Sequence, residues 1–382
     1  MKILAIDTSC DETSAAVTDG LSILSNIIWS QASLHTKWGG VVPSIAKRAH
    51  EQRIDFIIQK ALKTAFPKSF YTCYTCDRLI SANIDAVAVT IGPGLAIALE
   101  VGIKKAKELA QKFNKLFIPV NHIEGHILSC LAKPKYLKTK KLKNQKSEKG
   151  INRSTNFKSE VVFPSIGFVA SGGHTEIILI KKIGVYKILA QTSDDALGES
   201  LDKAARLLGF GYPGGAILEK IAKKGNPHTY SLPIPLKNDK TKNRLSFSGI
   251  KTAFVRLYES IENPTRKQIA NLSATFQSVS FQHTIEVLDN QITNNKQLIK
   301  NHPILAGGGV VANVTLRKML RELARKHKTR ILFPYSKRLY TDNAAMIGVV
   351  AYFKLQERKA INPKHLNNIE RIPRVRIDKP LL

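Results

Sequence analysis

Apolar residues come in short runs separated by polar turns. KILAID, AAVT and ILSNIIWS read as three strands, joined by the polar stretch TSCDETS and a turn at Asp19-Gly20. From about Ile45 to Phe66 the period changes, and Ile54, Ile57, Ile58 and Leu62 fall on one stripe, which predicts a helix. The buried strand IDAVAVT, the turn IGPG, a helix from about Ala98 to Phe113 and the strand LFIPV complete a first set. The same order then returns. SIGFVA, the tight turn SGGHT, EIILIKK and YKILAQT precede a helix near Leu197 to Leu208, with Leu197, Leu201, Ala204, Ala205 and Leu208 aligned. Two copies of strand, polar turn, strand, strand, helix predict an α/β fold of two duplicated lobes, each a mixed sheet flanked by helices. Clefts between lobes are favoured ligand sites.

The expected division is a first lobe over 1–120, completed by a C-terminal helix over 342–358, and a second lobe over 121–341. Within the second, 133–160 has almost no apolar periodicity and reads as a flexible basic insertion. This insertion and the basic tail over 359–382 each admit two readings: a solvated segment or a phosphate-gripping arm.

Composition narrows the class. A chain of 382 residues has ample core for two domains. Its longest apolar region, Ala86 to Ile103, is broken by Gly92-Pro93-Gly94 and carries Glu100, which excludes a membrane helix. The N-terminus turns polar after five residues and carries no signal pattern. Four cysteines are few, and Cys73-x-x-Cys76 has no second pair to make a zinc knuckle, so reduced thiols in a cytoplasmic protein are expected. The 59 basic residues outweigh 29 acidic ones, for a net charge of +30. The insertion, with ten Lys/Arg and two Glu, accounts for only +8 of that excess. A general excess of this size suggests a polyanionic partner, nucleic acid first.

Candidate chemistry begins at VNHIEGHILSC. On a helix advancing about 100° per residue, His122 and His126 lie roughly 40° apart and one turn along, so both can reach one metal ion. A zinc protease places its glutamate directly after the first histidine. Here Glu124 is two residues along, about 200° around, and points away. Several glycine turns could bring backbone N–H groups to an anion: Ser171-Gly172-Gly173-His174-Thr175, Gly214-Gly215, and Gly307-Gly308-Gly309 leading to Asn313. None matches a Walker A or Rossmann fingerprint. Asp7 and Asp11-Glu12 add carboxylates at the first turn. Asp342, at the start of a helix, is either an N-cap or a third metal ligand; two His and one Asp with open positions suit a catalytic iron or zinc.

Taken together, IDTSCDETSAAV, GGVVPSIAKRAH, IGPGL, VNHIEGH, SGGHTEI, DDALGESLDKAARLLGFGYPGG, LSFSGIKTA, AGGGVVAN and TDNAAMIG resemble the TsaD family, the tRNA N6-adenosine threonylcarbamoyltransferases. The strings keep the family's order and span nearly the whole chain. The resemblance implies the fold of actin, sugar kinases and Hsp70, with two ribonuclease H-like lobes. It implies transfer of threonylcarbamoyl from threonylcarbamoyl-AMP to N6 of adenosine 37 in tRNAs reading ANN codons. It carries the metal ligands onto His122, His126 and Asp342, with Fe(II) as the expected metal and Zn(II) as the alternative. The adenylate falls on the loop Val169, Ala170, Ser171, Gly172 and Gly173, with Asp202, Gly215 and Asn313. Asp11 and Glu12 match a cleft-facing acidic pair expected to act in catalysis. A TsaB-like inactive paralogue and a TsaE-like ATPase are the implied protein partners.

Val169 and His174 give the bacterial or mitochondrial pattern, of which the bacterial is expected for want of a transit pattern, while Ser44 is a separate departure. Val169 stands where archaeal and eukaryotic members carry a tyrosine metal ligand, His174 replaces their asparagine, and Ser44 replaces a common glutamate. Three rivals share parts of these signals: a phosphotransferase of the same fold, a metalloprotease, and a non-catalytic paralogue. The first needs no histidine pair, the second is opposed by the position of Glu124, and the third lacks the metal motif kept here.

Overall fold

The computed structural model of the chain describes residues 1–67, 75–135, 163–236, 243–300 and 302–381. Twelve strands among these residues form two six-stranded sheets. The first holds β1 (Lys2–Asp7), β2 (Glu12–Asp19), β3 (Ser22–Ser30), β4 (Ala86–Gly92), β5 (Leu116–Asn121) and β6 (Lys133–Pro134), in the order β5-β4-β1-β2-β3-β6. The second holds β7 (Ser165–Ala170), β8 (Thr175–Lys182), β9 (Val185–Thr192), β10 (Arg244–Leu245), β11 (Ile304–Gly307) and β12 (Ile331–Leu332), in the order β10-β9-β8-β7-β11-β12.

The duplication read from the sequence is complete at the level of topology. In each sheet an antiparallel three-strand meander is flanked by two parallel strands beside its first strand and a short parallel strand beside its third. Strands buried on both faces read as continuous apolar runs, as in AVAVTIG of β4, where all seven residues are buried.

Among the described residues, the helices of seven residues or more are α1 (Pro43–Ala65), α2 (Cys76–Asn83), α3 (Ala96–Lys112), α4 (His122–Leu128), α5 (Leu197–Leu207), α6 (Gly215–Ala222), α7 (Ser248–Glu259), α8 (Arg266–Asn294), α9 (Val314–Lys326) and α10 (Ala344–Gln356). Three apolar cores separate the layers. Ile54, Ile57, Ile58 and Leu62 of α1 cover the outer face of the first sheet with Leu99 and Ile103 of α3. Leu197, Leu201, Phe254, Phe276 and Leu320 cover the outer face of the second sheet. Between the sheets lies a middle core in which Ile123, Ile127, Met346, Ile347 and Val350 meet Ala5, Ala16, Val169 and Ile178. Helices α4 and α10 are therefore enclosed between the two sheets.

Two glycines permit that enclosure. A Cβ on Gly125 would stand 3.1 Å from both Met346 Cγ and Ile347 Cδ1, so the α4–α10 approach leaves little room for a side chain. A Cβ on Gly307 would stand 1.9 Å from the His126 carbonyl oxygen, which no side chain can occupy.

The long helix α8 and the short α2 went unread in the sequence. The tail over 359–381 packs rather than trails: Ile361 bridges Phe117, and Leu366, Ile369, Val375 and Ile377 are buried. Ile372 N–H donates to Ile91 O at 2.7 Å, and Gly94 N–H donates to Pro373 O at 3.1 Å, so the tail braces the IGPG turn. Most of the basic insertion over 133–160, like Cys73, lies outside the described residues. No helix among the described residues is long and apolar enough to cross a membrane.

Candidate metal centre and nucleotide cleft

Helix α4 carries both histidines because Asn121 ends β5 and caps the helix. Its Oδ1 accepts from Ile123 N–H at 2.9 Å and Glu124 N–H at 3.3 Å. All seven helical residues are buried, so the imidazoles can meet only what the middle layer offers. At the start of α10 the capping role falls on Asn343, whose Oδ1 accepts from Met346 N–H at 3.1 Å. Asp342 is thereby free to turn toward α4. Its Oδ1 lies 3.4 Å from His122 Nε2 and 3.2 Å from His126 Nε2. The cap is therefore Asn343, and Asp342 is left facing the two histidines.

The ligand atoms of His122, His126 and Asp342 all lie within 4.8 Å of one another, a set that fits a single metal ion. The polar atoms bear this out. Both ring nitrogens of His126 and Nδ1 of His122 are buried without a hydrogen-bond partner. Buried nitrogens left unpaired are costly unless something else fills their lone pairs. Burial pulls the His122 imidazole down, but the Asp342 and Asp7 carboxylates outweigh it and hold the ring up at about 9. Burial keeps His126 low. The cluster thus favours positive charge at one point, the electrostatic signature of a cation site. Asp7, fully buried, places Oδ2 3.8 Å from His122 Nδ1, behind the ligand set.

Glu124 faces the other way, as its spacing predicted. It accepts from Tyr186 O–H at 2.7 Å and lies 3.9 Å from Lys354 Nζ.

This His–His–Asp cluster opens into a cleft of about 1020 Å³. His122, Asp342, Asp11, Glu12, Ser171, Gly172, Gly173, Asp202, Gly215 and Asn313 all line it. His126, Val169 and Ala170 do not; they are buried behind the wall. At the SGGHT turn, Ser171 N–H donates to His174 O at 2.8 Å, and His174 N–H donates to Ser171 Oγ at 3.2 Å. A Cβ on Gly172 or Gly173 would meet nothing within 4 Å, so the turn presents bare backbone to open space. Gly198 must be glycine for this to hold, since its Cβ would stand 2.5 Å from Ser171 O.

Two predicted contacts are partly spent on structure. Asp202 Oδ1 accepts from Gly214 N–H at 2.9 Å and Gly215 N–H at 2.6 Å, which ties α5 to the start of α6. Asn313 Oδ1 caps α9 at Thr315 and Leu316, while its Nδ2 donates to Gln277 Oε1 at 2.8 Å. Burial, with Asp342 and Asp11 adding, pushes the Glu12 carboxyl well above the usual range, so it favours its protonated form. Burial likewise presses His174 down to about 4, leaving it neutral.

Sequence reasoning missed Arg206, Tyr212, Glu219 and Pro373 on the cleft wall. The GYPGG string flagged the turn around Tyr212, but nothing local marks Pro373. It arrives because the tail crosses the IGPG turn.

Fold and site together define a two-lobed α/β protein of the actin, sugar kinase and Hsp70 type, with a buried two-His, one-Asp cluster at its cleft. A family model described as TsaD, tRNA N6-adenosine threonylcarbamoyltransferase, matches residues 22–139 and 149–349. The tRNA N6-adenosine threonylcarbamoyltransferase of Endomicrobium trichonymphae is 41% identical over 360 residues, covering 93% of this chain and 92% of the relative. That of Clostridium novyi (strain NT) is 39% identical over 372 residues, covering 97% and 96%. Among solved structures, T. kodakarensis HypF is 13% identical with a TM-score of 0.52, covering 93% of this chain and 48% of that one, a likeness of fold alone. The chain belongs to the TsaD family of tRNA-modifying transferases.

Proposed function

We propose that this chain transfers threonylcarbamoyl from threonylcarbamoyl-AMP to N6 of adenosine 37 in tRNAs that read ANN codons. The observation that carries the reading is the convergence of His122, His126 and Asp342 at a cleft that the bare Ser171–Gly173 turn also lines.

In the reaction, a bond forms between adenine N6 and the carbamoyl carbon, the carbon–oxygen bond to phosphate breaks, AMP leaves, and N6 loses a proton. A bound divalent metal, Fe(II) in this proposal with Zn(II) as the alternative, would supply Lewis acidity toward the threonylcarbamoyl oxygens. The backbone N–H groups of Gly172 and Gly173 can receive the negative charge that collects on the departing phosphate. Asp11 and Glu12 line the same cleft and are the proposed proton-handling pair. No covalent enzyme nucleophile is required, because AMP is a good leaving group. Cys10 lines the cleft, but burial, with Asp11 adding, holds its thiol protonated.

We assign residues 1–120 with α10 to one lobe, a division supported by the middle-core packing of Met346 and Val350 against Ala5 and Ala16. The working assembly includes a TsaB-like paralogue and a TsaE-like ATPase in the cytoplasm. The test is reconstitution with those partners, ATP, threonylcarbamoyl-AMP, Fe(II) and an unmodified ANN-reading tRNA, followed by nucleoside mass spectrometry. Threonylcarbamoyladenosine should form with the wild-type chain and fall to background with His122→Ala. No product from the wild-type mixture would overturn the reading.

A further inference from the structure

Trp38 is 57% exposed, the most exposed aromatic side chain among the described residues, and it sits on a loop that is anything but loose. Thr36–Trp38 is a single turn of 3₁₀ helix that ends at Gly39, whose φ of 65° lets its N–H turn back to Thr36 O. The loop is anchored from below by His35, which is fully buried and bonded to Gln31 at 3.3 Å and to Val42 N–H at 3.3 Å. It is tied across the cleft mouth as well. Thr36 Oγ1 donates to Tyr212 O at 3.3 Å, and Arg206 Nη1 donates to Gly39 O at 3.1 Å. Gly39, Gly40 and Val41, the next three residues, line the cleft itself. A large exposed indole is therefore carried on an anchored turn, one residue from the cavity wall.

Exposing an indole in water forfeits burial that a core position would supply, and a single exposed turn has no packing use for it. Its surroundings are cationic. Lys37 Nζ stands 5.1 Å from the indole centroid, and Arg206 reaches the same loop. An aromatic face beside an ammonium group, with a guanidinium on the adjoining backbone, is the chemistry that binds a nucleobase by stacking and its phosphate by charge.

We propose that Trp38, with Lys37, is a stacking platform for a nucleotide of the substrate RNA that flanks the reacting adenosine. This rests on the transferase reading above. For N6 to reach the cleft the adenosine must leave its stack, and the nucleotides on either side must cross the rim. A flanking base displaced from its neighbour loses stacking that Trp38 replaces. Commitment to RNA rather than a protein partner follows from the cationic neighbours and from the net charge of +30.

The experiment uses the full-length chain in the reconstituted reaction. Base–aromatic stacking of about 1–3 kcal/mol corresponds to a 5- to 150-fold effect, so Trp38→Ala should raise KM for tRNA by about tenfold. KM for threonylcarbamoyl-AMP should not move, and Trp38→Phe should restore most of the loss. The chain has two tryptophans, so in a Trp29→Phe background Trp38 is the sole reporter in this chain, and added tRNA should quench its emission. Unchanged KM for tRNA together with unquenched emission would overturn the platform. So would a Trp38→Ala chain that keeps its tRNA affinity but no longer holds a protein partner. A wild-type chain that forms no product fails at the parent reading instead, which separates the two failures.

Discussion

Asp342 Oδ1 stands 3.2 Å from His126 Nε2, a nitrogen that is buried and makes no hydrogen bond. A carboxylate brought this close to an unpaired imidazole nitrogen, with His122 Nε2 at 3.4 Å from the same oxygen, is a donor set that fits a cation. The neighbouring Asn343 performs the helix-capping task that an aspartate usually shares. Adjacent residues thus divide two roles, and substitution should separate them. Asp342→Ala should lower metal affinity by more than about 100-fold with little loss of stability, since outer partners alone are worth 10–100-fold. Asn343→Ala should do the reverse, costing about 1 kcal/mol of stability with metal retained. Metal titration against a competing chelator and thermal unfolding read the two quantities. Equal metal affinity in both variants would remove Asp342 from the ligand set.

Asp7 is the natural orienting group for His122. It is fully buried, its Oδ2 has no hydrogen-bond partner, and it lies 3.8 Å from His122 Nδ1. When a metal occupies Nε2, the proton must reside on Nδ1, and a carboxylate behind it fixes the ring and raises its basicity. Asp7→Asn should weaken metal binding by about 10–100-fold while leaving the histidines in place. The same chelator competition measures it, and an unchanged affinity would reduce Asp7 to a structural residue.

Glu124 distinguishes this chain from a metalloprotease. Its carboxylate accepts from Tyr186 and faces Lys354, whose ammonium also donates to Pro119 O at 2.8 Å. Removing the charge leaves a buried lysine without its counterion, which costs about 3 kcal/mol. Glu124→Gln should lower the melting temperature yet keep metal content and transferase activity at permissive temperature. Adding Lys354→Met should recover stability. Loss of activity in a folded, metal-loaded Glu124→Gln chain would restore a catalytic role.

Much of this was legible in the chain because spacing alone constrained it. The i, i+4 histidines, the duplicated strand order and the glycine turns all appear where the pattern placed them. Asp342 was legible only as a choice, since deciding between cap and ligand required knowing what Asn343 does. Helix α8 was hidden for a different reason. Asn271, Ser273, Thr275, Gln277, Ser280 and Thr284 are buried along with Leu272, Phe276 and Phe281, so no polar face marks its period. Several polar groups bond locally or across the core: Ser273 to Ile269 O, Thr284 to Ser280 O, Thr275 to Pro227 O, and Gln277 to Asn313. Its start did carry a signal, the capping box between Thr265 and Gln268. Pro373 on the cleft wall carried none, because its place depends on a tail nearly three hundred residues downstream of the turn it braces.

Stability should depend on pH through Glu176, the second residue of β8 beside the SGGHT turn. Burial pushes its carboxyl up to about 7; Arg376 opposes the shift and Asp378 adds to it. Its Oε2 is buried without a partner. A carboxyl raised above its unfolded value binds its proton more tightly in the folded state. Stability therefore falls as pH rises from the unfolded value near 4.5 to the folded value near 7, and the full cost persists above that. The cost at pH 8 is on the order of 3 kcal/mol. Glu176→Gln removes the ionisation, so its gain in melting temperature over the wild type should be largest at pH 8 and close to nothing at pH 4. Differential scanning calorimetry across that range decides it. A gap of the same size at both ends would mean that packing, not ionisation, sets the difference.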